Sequence, residues 1–261
     1  MKSEIFIPPI VQSAIAGVAD HQFCQKMLEY NVGMATLGGL SIDEKNIEAT
    51  KLLANRGRKE FLLPKKRQEI KNWCSQNLKF SKTRKEQKIT ANIRIVEFDE
   101  VCKTWLKELQ SRLDYIEINA HCRQKEITNI NGGQALLLQL DKLEGLLTDL
   151  KSNFSSISFG LKVRGSIIKD NRRLVELLEK FGCSFIHIDA MIPNENKANL
   201  KLLTEFVQLT DIPLIGNNSV RTLMNIQKML SIGMSAVSLA RPLIEDPTTI
   251  RRLIIEYLGD N

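Results

Sequence analysis

The sequence predicts an α/β chain folded as a (β/α)8 TIM barrel, and three observations carry that expectation. Apolar runs of strand length alternate with segments of helical period along most of the 261 residues. Eight such runs can be counted, the number that closes a barrel of about 250 residues. The nearest alternative, a doubly wound sheet, lacks the G-x-G-x-x-G turn that would open a helix after its first strand. A single domain over residues 1–261 is expected.

The first strand is placed at Ser13–Val18 by the run SAIAGV. Before it, Glu4–Val11 contains Pro8 and Pro9 and is expected to form a short extra strand or hairpin capping the barrel bottom. Val32–Leu37 is the second strand, followed by a helix over Asp43–Asn55. A basic helical insertion after strand 2 contributes a further helix, Lys65–Gln76. Strand three is Ile89–Ile95, with a helix at Asp99–Ser111 behind an aspartate suited to capping. Strand four, Tyr115–Asn119, leads through a polar loop to a helix over Gly133–Leu150. Ile157–Val163 then precedes Asn171–Phe181, with Asp170 at the helix start and Gly182 at its end. The last three units pair Phe185–Asp189 with Asn196–Leu209, Ile212–Gly216 with Val220–Ser231, and Ala236–Ala240 with Pro247–Leu258.

Composition narrows the class. Hydrophobic residues make up 43% of the chain and charged residues 26%, enough apolar content for a sizeable core. The five cysteines are scattered, with no CxxC pair and no Cys/His cluster at zinc-ligand spacing, which points to a reducing cytoplasm and away from a structural metal. No apolar run approaches the roughly 18 residues of a membrane span, so a cytoplasmic protein without membrane contact is expected. Arg56 to Lys88 carries twelve basic and three acidic residues, a surplus of +9 against +7 for the whole chain. That segment could attract RNA, another polyanion or an acidic partner, and equally could be a solvated helix face.

In a TIM barrel the site lies where the strands end. The residues there are small or polar: SAIAGVADHQFCQKM, ITANIRI, IEINAHCRQ, FGLKVRGS, FIHIDAM, IPLIGNNS and SLARPL. A lysine at such an end, Lys162, can place positive charge near an electron-accepting ring, and a thiol in a polar loop, Cys122, can deliver a proton. Gly216, Asn217 and Asn218, with Ser219 as a helix cap, together with Arg241, suit a phosphate.

Four of these stretches resemble the dihydrouridine synthases, flavin-dependent TIM barrels that reduce uridine in tRNA. AGVADHQFCQKM is similar to that family's AGVTDxPFR, IEINAHCRQKEITNINGGQALL to DINMGCPxxxVxxxGxGAALL, FGLKVR to VTVKIR, and IPLIGNNS to IPVIGNGD. The resemblance implies an FMN cofactor. Ala16, Gly17 and Val18 would lie under the flavin, Asn92 would face it, and Lys162 and His187 would contact the ring. Ala240 and Arg241 would meet its phosphate beside Gly216, Asn217 and Asn218. Asn119 and Cys122 would form the catalytic loop, with Cys122 as general acid. The chain departs from the family at His121 and Arg123, which replace a glycine and a proline, and at Asp189, which replaces an arginine. It also ends one helix after SLARPLIEDP, where these synthases continue into a helical tRNA-binding domain. The substrate could therefore be tRNA reached through Arg56 to Lys88, or a small molecule as in the dihydroorotate dehydrogenases, and a non-catalytic barrel used for interaction is a third reading.

Overall fold

A computed structural model describes residues 5–259 apart from 193 and 196. Eight parallel strands close into a barrel in chain order. They are β1 (Ile10–Gln12), β2 (Met34–Ser41), β3 (Lys88–Arg94), β4 (Tyr115–Ala120), β5 (Phe159–Arg164), β6 (Phe185–Asp189), β7 (Leu214–Asn217) and β8 (Ala236–Leu239). Closure comes from β1 pairing with β8 at Ile10↔Val237. Around it lie α1 (His21–Glu29), α2 (Glu44–Asn55), α3 (Arg67–Asn77), α4 (Glu100–Gln110), α5 (Lys125–Thr128), α6 (Leu140–Asn153), α7 (Asn171–Lys180), α8 (Leu200–Leu209), α9 (Leu223–Ser231), α10 (Arg241–Glu245) and α11 (Thr248–Gly259).

A parallel sheet covered on both faces needs strands that bury every side chain, which is why β2, MATLGGLS, is buried throughout. Alternate residues point outward into the helix layer, where Trp105, Leu147, Phe206 and Ile254 belong to one continuous apolar cluster. The inward set is layered. Phe6, Val11, Met34, Phe185, Ile215 and Ala236 plug the bottom. Above them the interior turns polar, with Thr90, Asn92, Glu117, Lys162, His187 and Ser238 all buried. Helix starts carry the chemistry their sequences announce: Asp20, Asp43, Asp99 and Asp170 each accept a backbone N–H in the first turn, a contact worth about 1 kcal/mol.

Several boundaries differ from expectation, each for a local reason. The first strand is Ile10–Gln12, not Ser13–Val18. The ladder ends when Ser13 N–H donates to Leu239, and the chain then turns, with Val18 and Ala19 both donating to the Ile15 carbonyl. Pro8 and Pro9 suit the approach to this strand, because their missing donors fall outside the ladder. Of the capping hairpin expected at Glu4–Val11, Phe6 does plug the barrel bottom while Ile10 and Val11 belong to β1; Glu4 lies outside the described residues. A helix not anticipated, α1, follows the turn, its buried Cys24, Met27 and Leu28 at helical spacing. The Gly133–Leu150 helix divides into a 3₁₀ segment, Gly133–Leu138, and α6. The helix expected from Asn196, itself outside the described residues, begins at Leu200. Ser219 does not cap the next helix: Thr222 does, in a reciprocal pair with Asn225. Among the described residues no helix is long and apolar enough to cross a membrane, and no cluster suits a metal ion.

Candidate active site

Parallel strands deliver their C-terminal side chains to one rim, and the register sets which of them meet. Asn92 lies opposite Glu117, Asn119 opposite Lys162, Lys162 opposite His187, and Arg164 opposite Asp189. At this rim opens a hollow of about 370 Å³ lined by Ala16, Asn92, Asn119, Cys122, Lys162, Asn217, Asn218, Ala240 and Arg241 among others. A second hollow, of about 260 Å³, shares Asn217, Asn218, Ala240 and Arg241 with the first, so the two run together over the ends of β7 and β8. Nine of the thirteen residues singled out in the sequence therefore share one cavity.

Four do not line it. Gly17 has φ +69, and an added Cβ would sit 2.4 Å from the Lys59 carbonyl carbon, so it seats the loop after α2 rather than a ligand. Val18 lies in the same turn, outside the hollow. Gly216 faces the helix layer, where a Cβ would meet Met229 Sδ at 2.9 Å. His187 is fully buried beneath the mouth, one inward position below Asp189.

His187 belongs to a continuous hydrogen-bonded chain inside the barrel. Asn119 Nδ2 donates to Asn92 Oδ1 at 2.8 Å, and Asn92 Nδ2 donates to Glu117 Oε1 at 2.7 Å. From the other side Asn217 Nδ2 donates to Ser238 Oγ at 2.5 Å, Ser238 lies 2.7 Å from His187 Nε2, and His187 Nδ1 lies 2.6 Å from Glu117 Oε2. Burial alone would raise Glu117, but His187, Lys162 and Asn92 together hold it down to about 2, so it is an anion. His187 is lowered by burial and by the charge of Lys162 and is neutral. Its Nδ1–H therefore donates to Glu117, and its Nε2 accepts the Ser238 hydroxyl.

At the surface of this network Asn119 Oδ1 accepts the backbone N–H groups of His121 at 3.0 Å and Cys122 at 2.8 Å. That fixes the polar loop after β4. Gly133, at φ +57, closes the loop from below: a Cβ there would lie 2.3 Å from the Cys122 carbonyl oxygen. Cys122 keeps 9% of its surface exposed in the hollow, whereas Cys24, Cys74, Cys102 and Cys183 are packed in the core and their thiols are pushed up by burial. Lys162 reaches the Ser13 hydroxyl in a short hydrogen bond, and burial lowers it against the opposing pull of Glu117 and Asp189.

Sequence reasoning missed a second group. Arg94, only 3% exposed, shares the inward face of β3 with Asn92 and pairs with Glu60 at 2.8 Å. Glu60 also meets Arg58 at 3.5 Å, and Arg94 Nε is buried without a partner. The period-two spacing of Asn92 and Arg94 was the available signal; Glu60 looked like one acid in a basic run. With Arg123, Arg164 and Arg241, the lining carries six cations, Arg58, Arg94 and Lys162 included, against the single carboxylate Asp189. Such a mouth focuses anions.

Asn218 and Ser219 have φ +101 and +56, two successive left-handed residues at the β7 end, a costly shape retained where a site uses it. Arg241 is exposed beside them and makes no ion pair within 4 Å among the described residues. The basic segment is less free than its composition implies. Arg56 pairs with Glu126, Lys65 with Glu48 and Lys82 with Asp114. A groove of about 480 Å³ between α3 and α4 is lined by Arg67, Lys71, Lys103 and Lys107 together with Glu100 and Glu108, and Lys103 pairs with Glu100 at 3.0 Å.

The geometry has counterparts. A DHODH from Eimeria tenella in complex with ferulenol superposes with a TM-score of 0.68 at 12% identity, covering 98% of this chain and 82% of that one. The ligand-free DHODH from the same organism gives 0.65 at 15%, covering 95% and 83%. These likenesses establish the TIM-barrel fold. In sequence, the uncharacterized protein MJ0144 of Methanocaldococcus jannaschii is 29% identical over 242 residues, 90% of this chain and 89% of that protein. The dihydrouridine synthase family profile matches residues 65–257, from the insertion after β2 to the last helix, and with that match the chain belongs to the dihydrouridine synthase family.

Proposed function

We propose that the protein is an FMN-dependent oxidoreductase that reduces an activated C=C bond, with uridine in RNA as the first substrate to test. The observation that carries this reading is the single cavity in which Cys122, Lys162 and the Arg241 loop meet in a member of this family. The residues present fit a flavin. Small side chains at Ala14, Ala16, Gly39 and Ala240 leave room for a flat ring, and an added Cβ at Gly39 would crowd Asn92 Oδ1 at 3.0 Å. The unpartnered Arg94 Nε offers a donor at the same place.

Asn92 and Lys162 would hold the ring, and Asn217, Asn218, Ala240 and Arg241 the phosphate. Bound FMN supplies the hydride. The protein supplies the rest: Lys162 stabilises negative charge beside it, Asn119 fixes the loop by two N–H bonds, and the Cys122 thiol gives its proton to the second carbon of the reduced bond. RNA would be gripped by Arg67, Lys71 and Lys107 in the groove between α3 and α4. The internal pairing of Arg56, Lys65 and Lys82 favours the second reading, a small-molecule flavin oxidoreductase, because it removes cations that a polyanion would need.

Purified protein should be yellow or take up added FMN, and the reduced form should convert uridine in RNA to dihydrouridine. The Cys122→Ala variant should keep the colour and lose turnover by about 10²–10⁴-fold. A colourless protein that ignores FMN overturns the reading. Flavin uptake with no RNA affinity at low salt, where polyanion contacts are strongest, selects the small substrate.

A further inference from the structure

Two of the sequence departures from the family at the rim, His121 after β4 and Asp189 at the end of β6, are hydrogen-bonded to one another. His121 Nε2 lies 2.6 Å from Asp189 Oδ2. Asp189 is saturated: Oδ1 accepts Asn218 Nδ2 at 2.9 Å and the Met191 N–H at 3.1 Å, and Oδ2 also faces Arg164 Nη1 at 3.3 Å. With those donors the carboxyl is held well below the ordinary aspartate range, against its burial. An ionised acceptor at 2.6 Å requires a proton on Nε2. Arg164 Nη2 also faces the same nitrogen at 3.0 Å, so the shorter contact to the ionised Asp189 sets the tautomer, and Arg164 Nε reaches the His121 carbonyl at 3.4 Å.

The charge on the ring is fixed by the same surroundings. Burial lowers His121 to about 4, the bond to Asp189 opposing this while Lys162 and Arg164 reinforce it. A neutral imidazole protonated at Nε2 carries a bare lone pair at Nδ1. That nitrogen has no partner among the described residues, the side chain is 28% exposed, and it lines the cavity beside Cys122. Two guanidinium groups, those of Arg123 and Arg164, share the same lining. A fixed acceptor in a lining that also carries guanidinium donors is complementary to an N–H next to carbonyl oxygens.

We propose that His121 is a specificity-determining residue whose Nδ1 accepts a substrate N–H, so that the site selects a cyclic amide or imide with that N–H unsubstituted; Asp189 is the positioning residue that holds the tautomer. This deepens the reading given under Proposed function and rests on it only for the location of the substrate. A site built to accept an N–H rejects the analogue lacking it, because the acceptor is left unpaired.

The chain has three histidines, so nitrogen-15 spectra of histidine-labelled, FMN-supplemented protein can be assigned by the loss of one pair of signals in His121→Ala. His121 should show an unprotonated Nδ1 and a protonated Nε2, unchanged from pH 8 to pH 5. Uridine or orotate should move the Nδ1 signal, and the 3-methylated form of each should bind about tenfold more weakly or worse. Asp189→Asn should produce a mixture of tautomers, and His121→Gln, which retains an acceptor oxygen, should restore part of the discrimination lost in His121→Ala. A protonated ring at neutral pH, the opposite tautomer, or equal binding of methylated and unmethylated probes overturns the proposal. Failure of FMN uptake with the expected tautomer and probe response intact would sink the flavin reading and leave this one standing.

Discussion

Replacing Glu117 by glutamine tests the electrostatics of the barrel interior most directly. Glu117 is fully buried, accepts from His187 at 2.6 Å and Asn92 at 2.7 Å, and lies in the field of Lys162. Its fall from 4.5 to about 2, at about 1.4 kcal/mol for each tenfold change in proton affinity, corresponds to about 3 kcal/mol of folding stability. Because the folded value is depressed, this contribution is complete above 4.5 and is lost as pH falls towards 2. Hydrogen bonds to a charged group are worth about 1.5–3 kcal/mol each, which is of the same order. Glutamine adds a constant penalty, since its amide nitrogen must face either Asn92 or the His187 N–H. Urea unfolding of both proteins across the pH range should therefore show a gap that narrows by about 2 kcal/mol between pH 7 and pH 3. A gap that stays constant with pH would mean that Glu117 is not an anion in the folded state, and the account of the interior network would fail.

Removing the partner of Arg94 by Glu60→Ala leaves a 3% exposed guanidinium uncompensated and should destabilise the protein by about 3–5 kcal/mol, with faster tryptic cleavage at Arg58 and Lys59. Arg241→Ala, at an exposed rim position, should leave stability unchanged and weaken FMN uptake by about tenfold to a hundredfold in a fluorescence titration. Gly133→Ala forces a side chain into a left-handed residue 2.3 Å from the Cys122 carbonyl; a stability loss of at least about 1–2 kcal/mol and reduced turnover with normal flavin uptake are expected.

The barrel was legible because its signal is redundant: eight apolar runs with helical segments between them survive a misplaced boundary. The misplacement at β1 arose because SAIAGV is as apolar as a strand but follows the end of the ladder at Ser13 and forms a turn, in which Gly17 is left-handed. In the site, motif positions such as Asn119, Cys122 and Lys162 could be read because a rim position follows from the strand end alone. Glu60 could not, since its role depends on where the loop after α2 folds back over the mouth to meet Arg94. Nor could the partnership of His121 and Asp189, 68 residues apart, which exists only because β4 and β6 flank β5. Charge counting likewise overstated the basic segment, because Glu48, Glu126 and Asp114, the acids that neutralise Lys65, Arg56 and Lys82, lie outside it.

The polar chain through the barrel has a direction: every donor on either side points towards Glu117. Asn119, Asn92, His187, Ser238 and Asn217 thus each have one permitted orientation, dictated by a single negative charge. Swapping any one of them in isolation would set two lone pairs or two protons against each other. Relatives that diverge at this layer should therefore have exchanged it as a block, and a designer wishing to retune the floor of the mouth would have to rewrite all six positions together.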